Sequence, residues 1–215
     1  MKIFKQFNQK QLVTWFSIVI VSFIAIYGLW KLTTKNSKPI QIALNKKDHI
    51  YGVSDSKVVI VEFSDFQCPA CKYYHSLIKP IVEKYKKQIT FVYRNFPLDQ
   101  HKLALPAAAV AEAAGQQNKF FEMHDKLFEN QDEWSALKDP GSQFKKYATD
   151  LKLDINKWEK DINGTDVKSK IDMDITSARE IGINQTPTFY LNGQQMGNFS
   201  SASEFDKLIQ SALSN

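Results

Sequence analysis

Cysteine is almost absent from this chain. Two stand in 215 residues, Cys68 and Cys71, with only Pro69 and Ala70 between them. A disulfide closing so small a loop restricts the unfolded chain little, which argues against stapling as its purpose. Two chemistries stay open for the pair, redox exchange and metal ligation. Arginine is scarce as well, present only as Arg94 and Arg179. The net charge of +5 comes mostly from scattered lysines, with no dense basic patch interleaved with aromatics. Nucleic-acid binding is therefore not expected. Repeats and low-complexity tracts are also missing. What is abundant is apolar: 43% hydrophobic and 13% aromatic residues, enough for a core in one or two domains.

Charge is missing altogether from Gln11 to Trp30, QLVTWFSIVIVSFIAIYGLW. As a helix this stretch reaches about 30 Å, the thickness of a bilayer core. Trp15, Tyr27 and Trp30 lie towards its ends, where amphipathic rings favour the interface. The exit, YGLWKLTTK, has no A-x-A-like cleavage site. Residues 1–31 are thus expected to form a cytoplasmic tail and an uncleaved transmembrane anchor. A buried core helix is the weaker reading, because no face of the segment is polar. Lys2, Lys5 and Lys10 before the span nearly balance Lys31, Lys35 and Lys38 after it. Lysine counting alone leaves the orientation open. Residues 32–47 read as a polar linker with a short apolar patch at Ile40, Ile42 and Leu44, able to dock on the domain at 48–215.

Within that domain, SKVVIVEFSDF carries a continuous apolar run and predicts a strand buried on both faces. After Cys68, the spacing of Tyr74, Leu77, Ile78, Ile81, Val82 and Tyr85 predicts a helix, kinked at Pro80. ITFVYRNF predicts a second strand. From about Leu103 to Ile181 the pattern is helical, with ALPAAAVAEAAG ending at Gly115. Asp154 and Asp166 are candidate N-caps for two later helices. TPTFYLNGQQMGNF predicts a hairpin turning at Asn192-Gly193. Ser201 with Glu204 makes a capping box for a last helix. The order is βαβ, a block of helices, then ββα.

That order, with C-P-x-C at the first helix and T-P before the late hairpin, resembles the thioredoxin superfamily. More narrowly it resembles the DsbA-like thiol:disulfide oxidoreductases. The stretches that carry it are VVIVEFSDFQCPACKYYH, YRNFPLDQH, AAAVAEAAGQQNKFFEMHDKLFENQDEW and SAREIGINQTPTFYLNG. The resemblance covers about 48–213. It implies an α/β thioredoxin fold, with core segments 48–98 and 182–215, interrupted by a helical insertion at 99–181.

Cys68 stands where a strand gives way to a helix. The unpaired N–H groups and partial positive charge of a helix N-terminus stabilise a thiolate. Cys68 is therefore expected to be the low-pKa nucleophile, and Cys71, one turn in, the more buried resolving thiol. Pro69 suits the first helical turn, where its missing N–H is not needed. Glu62 lies in an otherwise apolar strand. Burial would raise its pKa and make it a proton carrier for Cys71; on an open edge it would merely be solvated. The resemblance implies a cis peptide at Thr186-Pro187, with Pro187 against the cysteine pair. The Thr186 backbone would then pair with an extended substrate by strand addition. Pro69 and Ala70 complete that substrate-facing surface.

His75 is expected to be a surface or partly packed residue, and His101 and His124 structural ones. Phe66, Gln67, Tyr73 and Tyr74 would line a peptide groove or pack into the core. No cofactor and no complete metal site are assigned. The leading reading is a monomeric dithiol oxidase, tethered to the cell membrane with its catalytic domain outside. It would act on unfolded exported proteins with cysteines. Its quinone-linked membrane reoxidant is implied by the resemblance. A reductase or isomerase would use the same residues. A copper or zinc carrier using Cys68, Cys71 and a histidine is the alternative of another class.

Overall fold

The computed structural model describes residues 9–33 and 42–214. Two compact units fall at Met1–Lys38 and Pro39–Asn215. In the first, α1 is a 25-residue helix, Gln9–Thr33. Its described side chains are exposed, among them Phe16 at 67% and Phe23 at 70%. Among the described residues, no helix is long and apolar enough to cross a membrane. The anchor expected over 1–31 is thus not demonstrated by the fold itself. The side chains of the flanking lysines, and Ile40, lie outside what is described.

The second unit is built on one sheet of order β1-β3-β2-β4-β5. Its strands are β1 (His49–Gly52), β2 (Val59–Ser64), β3 (Thr90–Asn95), β4 (Thr188–Leu191) and β5 (Gln194–Gln195). The β2–β3 pair is parallel, joined through α2 (Pro69–Tyr85), and the other pairs are antiparallel. The fold is thus α/β and thioredoxin-like. Its helical insertion holds α3 (Ala104–Gly115), α4 (Phe120–Glu129), α5 (Gln131–Ser135), α6 (Gly141–Asp150), α7 (Ile155–Ile162) and α8 (Thr165–Glu180). The final helix is α9 (Ala202–Ser214). Strand β1 has no counterpart in the pattern reading. Its four residues are too few and too half-buried to alternate visibly.

Strand alternation sorts the core onto two faces. Ile60, Phe91, Tyr93 and Phe189 face α2, α9 and much of the insertion. Val61, Phe63, Val92 and Tyr190 face a smaller cluster with Ala178 and Ile183. Ile42 and Leu44 pack against that smaller cluster, so part of the linker patch does dock. Helix α2 runs on through Pro80 to Tyr85. Its buried line is Cys71, His75, Ile78, Val82 and Tyr85. That stripe is rotated from the expected one, so Tyr74, Leu77 and Ile81 are only partly buried. His75, only 6% exposed, is inside rather than at the surface.

Local signals fared unevenly. Asp154 caps α7 by accepting from Lys157 N at 3.0 Å. Asp166 does not cap α8; Gly164 takes that position and Asp166 sits in the first turn. The Ser201 hydroxyl accepts from Glu204 N, but the Glu204 carboxylate accepts from Ser200 N, one residue earlier than a capping box requires. The hairpin turns at Asn192 (φ 49°) and Gly193 (φ 77°), the paired positive angles that fit the twist of flanking strands.

Candidate active site

Strand β2 ends at Ser64, and four residues later Cys68 is the N-cap of α2 with extended backbone (φ −72°, ψ 123°). The intervening turn is held from several sides. Buried Asp65 accepts from Gln67 N (2.7 Å) and Leu98 N (2.9 Å), and pairs with His101 Nδ1 at 2.7 Å. Gln131 reaches in from the insertion, and its Nε2 donates to the carbonyls of Phe66 (2.7 Å) and Cys68 (3.0 Å). Neither contact was visible in the sequence, because the partners are 65 and 63 residues apart. Phe66 is core, stacked near Tyr93 with ring centroids 5.0 Å apart. Gln67 Oε1 accepts from Leu103 N. Tyr74 packs against Phe189 and Phe199, while half-exposed Tyr73 donates to Ser200 O.

Both cysteines are free thiols. Cys68 is 6% exposed and Cys71 wholly buried. Pro69 and Ala70 between them are exposed. Cys68 Sγ lies 3.6 Å from Thr186 O, and the Thr186-Pro187 bond is cis. The expected neighbours Cys68, Cys71, Thr186 and Pro187 are thus gathered where α2 begins and β4 is about to start.

The two thiols are driven apart. The Cys68 pKa falls to about 5, chiefly through a hydrogen bond from the Cys71 thiol. The Cys71 and Ala70 backbone N–H groups and Thr186 add to this, against the opposing pull of burial. The helix N-terminus expected to activate Cys68 therefore contributes, but behind its neighbouring thiol. Cys71 is pushed well above the usual thiol range, first by burial and then by its partner, with Ser64 opposing.

Glu62 is 1% exposed and is not on an open edge. Its strand pairs on both sides, with β3 and with β4. By alternation it shares the face of Ile60, the α2 side. Burial pushes its pKa up to about 8, with a contact to Ser64 opposing. Directly across β3 stands Tyr93, its register partner. Burial raises the Tyr93 phenol well above its ordinary range, with the charges of Glu62 and Cys71 next. Glu62 Oε1, Ser64 Oγ and Tyr93 OH are buried without a hydrogen-bond partner. Ser64 and Tyr93 were missed by sequence reasoning; Ser64 follows Glu62 on the same face of β2, and the β2–β3 register brings Tyr93 across to it.

The Cys-Cys-His metal set is not what the fold assembles. Among the described residues, the group able to hold a metal is His75, His124 and Asp125, without either cysteine.

A family model described as Thioredoxin matches residues 44–211. The crystal structure of BdbD from Bacillus subtilis, in its oxidised form, superposes with a TM-score of 0.70 at 26% identity, covering 79% of this chain and 95% of that one. The chain belongs to the thioredoxin family and is DsbA-like within it. Probable disulfide bond formation protein D of Bacillus cereus is 29% identical over 189 residues, 83% of this chain and 85% of its own. A Na(+)/H(+) antiporter NhaA 1 of Mycobacterium sp. (strain KMS) is 31% identical over 188 residues, but this chain spans only 30% of that protein's length.

Proposed function

We propose that the protein is an extracytoplasmic thiol:disulfide oxidoreductase that introduces disulfides into exported proteins through Cys68 and Cys71. The observation that carries this reading is the geometry of the pair: Cys68 caps the N-terminus of α2 with its Sγ 3.6 Å from Thr186 O beside the cis Thr186-Pro187 bond, and Cys71 lies buried one turn further in. A substrate thiolate attacks Cys68 Sγ of the enzyme disulfide. The Cys68–Cys71 bond breaks and Cys71 leaves as a thiolate that its buried site cannot keep charged. Glu62, protonated below about pH 8, supplies the proton to Cys71. A second substrate thiolate then attacks the substrate sulfur of the mixed disulfide, and Cys68 leaves as a stabilised thiolate. Two electrons pass from substrate to enzyme. A low leaving-thiol pKa favours this release and stabilises the reduced enzyme, so the disulfide is an oxidant.

Exposed Pro69 and Ala70, with Thr186 and Pro187, form the face that receives an extended substrate segment. Substrates are unfolded or partly folded exported proteins with cysteines, and a quinone-linked membrane partner takes the electrons. The protein works as a monomer. Stable disulfides belong outside the cytosol, which favours the domain outside and the tail inside. Residues 1–31 anchor it to the cell membrane. In support, α1 is 25 residues long, carries no charge from Gln11 to Trp30, and exposes its described apolar side chains. Intact mass of membrane-extracted protein tests the anchor; a chain starting near residue 32 would refute it.

The chemistry is tested by trapping. Cys71→Ala should accumulate mixed disulfides with reduced, unfolded substrate on non-reducing gels, and Cys68→Ala none. The reverse pattern would mean the roles are exchanged, and no adduct in either would sink the assignment.

A further inference from the structure

We propose that His75, His124 and Asp125 form a binding site for a late first-row divalent metal ion, separate from the cysteine pair and clamping α2 to α4. The ligand atoms of these three lie within 4.8 Å of one another. His75 Nε2 is buried and has no hydrogen-bond partner, though it lies 3.7 Å from Asp125 Oδ1. The same carboxylate oxygen is 3.0 Å from His124 Nδ1. In a tetrahedral site with metal–ligand bonds of 2.0–2.1 Å, neighbouring ligand atoms stand about 3.3 Å apart. The two observed separations bracket that spacing.

The donor set is the right chemistry. Two imidazoles and one carboxylate suit zinc, copper or nickel, and disfavour calcium and magnesium, which want oxygen. His124 Nε2, like His75 Nε2, is buried without a hydrogen-bond partner. A cavity of about 370 Å³ adjoins the three residues, leaving a fourth position open to water. Tyr51, Lys79 and Glu83 also line it. Lys79 is the local competitor: its Nζ is 2.9 Å from Asp125 Oδ2. It has a second carboxylate, Glu129, at 2.5 Å, to which it can withdraw.

The test uses the full-length protein in its oxidised form, so that the cysteines are bonded to each other and cannot ligate. Zinc binding is followed by competition with a chromophoric chelator. One zinc per chain at micromolar concentration is expected, with magnesium and calcium ineffective. His75→Gln and Asp125→Asn should each weaken binding about tenfold or more. Lys79→Ala should tighten it several-fold, an effect that damage to the fold cannot imitate. His101→Gln, which alters the histidine beside Asp65, should leave it unchanged. Should His75→Gln fail to fold, the part-exposed Asp125 and Lys79 positions carry the test. Zinc should also raise the melting temperature of the native protein but not of Asp125→Asn. No stoichiometric binding, or binding indifferent to Asp125→Asn and Lys79→Ala, overturns the site.

Discussion

Two buried polar groups of residues share strand β3, and they are built on opposite rules. Beside the cysteines, Glu62, Ser64 and Tyr93 keep buried polar atoms without partners. At the β1 side of the sheet a second group leaves few needs unmet. Arg94 forks onto Asp48 (3.1 and 2.8 Å) and also donates to Ala43 O. Lys170 sits 2.6 and 2.7 Å from the two Asp174 oxygens, and Asn95 bonds both Asp174 and Glu112. Glu112 in turn meets His49 Nε2 at 2.7 Å. The second group ties β1, β3, α3 and α8 together. The first spends burial on raising proton affinity. Paired buried charge specifies structure; unpaired buried polarity prepares chemistry.

The largest expected effect lies on the unpaired side. The folded Glu62 pKa of about 8 exceeds its ordinary value of 4.5. The folded state therefore binds a proton that the unfolded state has released between those limits. Stability from this group is whole below pH 4.5 and is lost as pH rises towards 8, by about 5 kcal/mol in all. Glu62→Gln should flatten that slope. Urea unfolding of the oxidised protein across this range reads it without interference from thiols. Parallel pH profiles for both proteins would erase the contrast between the two groups.

On the paired side, Lys170→Met leaves Asp174 buried without its cation. Stability should drop by about 3–5 kcal/mol, read from the urea midpoint, while thiol oxidation per folded molecule stays the same. A comparable loss of redox activity would show the two groups to be coupled.

Smaller effects sharpen the active site itself. Because the Cys71 thiol is the largest influence on Cys68, Cys71→Ala should move the Cys68 pKa up towards the ordinary thiol range. Ultraviolet thiolate absorbance over a pH series measures this. An unmoved pKa would hand control back to the helix N–H groups. Ala70 is exposed and offers no charge or side-chain donor. Ala70→His should lower the Cys68 pKa, and raise the reduction potential by about 30 mV for each unit lost. Glutathione equilibration checks the second half. A lowered pKa with an unmoved or more negative potential would separate thiolate stability from redox poise.

Much of the fold was legible because its signals are local. The apolar run at 58–63, the alanine-rich α3, the Asn192-Gly193 turn and the Asp154 cap each state their structure within a few residues. The C-P-x-C motif likewise carries its own position at a helix start. Less legible was anything that depends on which residue faces which. His75 sits four residues past Cys71, so the helical spacing could have revealed its burial, but the neighbouring aromatics suggested another stripe. Asp166 and Gly164 compete for one cap position, and composition alone favours the wrong one.

By itself, then, the sequence determined the order of elements from β2 onward, the redox pair at a helix N-terminus and a carboxylate committed to the strand behind it. These follow from residue chemistry and periodicity, which act over one or two turns. Only the tertiary structure decided that Gln131 grips the Cys68 carbonyl, that Tyr93 faces Glu62, and that His75 meets His124 and Asp125. Those pairings depend on strand register and on how α2 packs against α4. Such contacts join residues 31 to 63 positions apart, and no local preference encodes them.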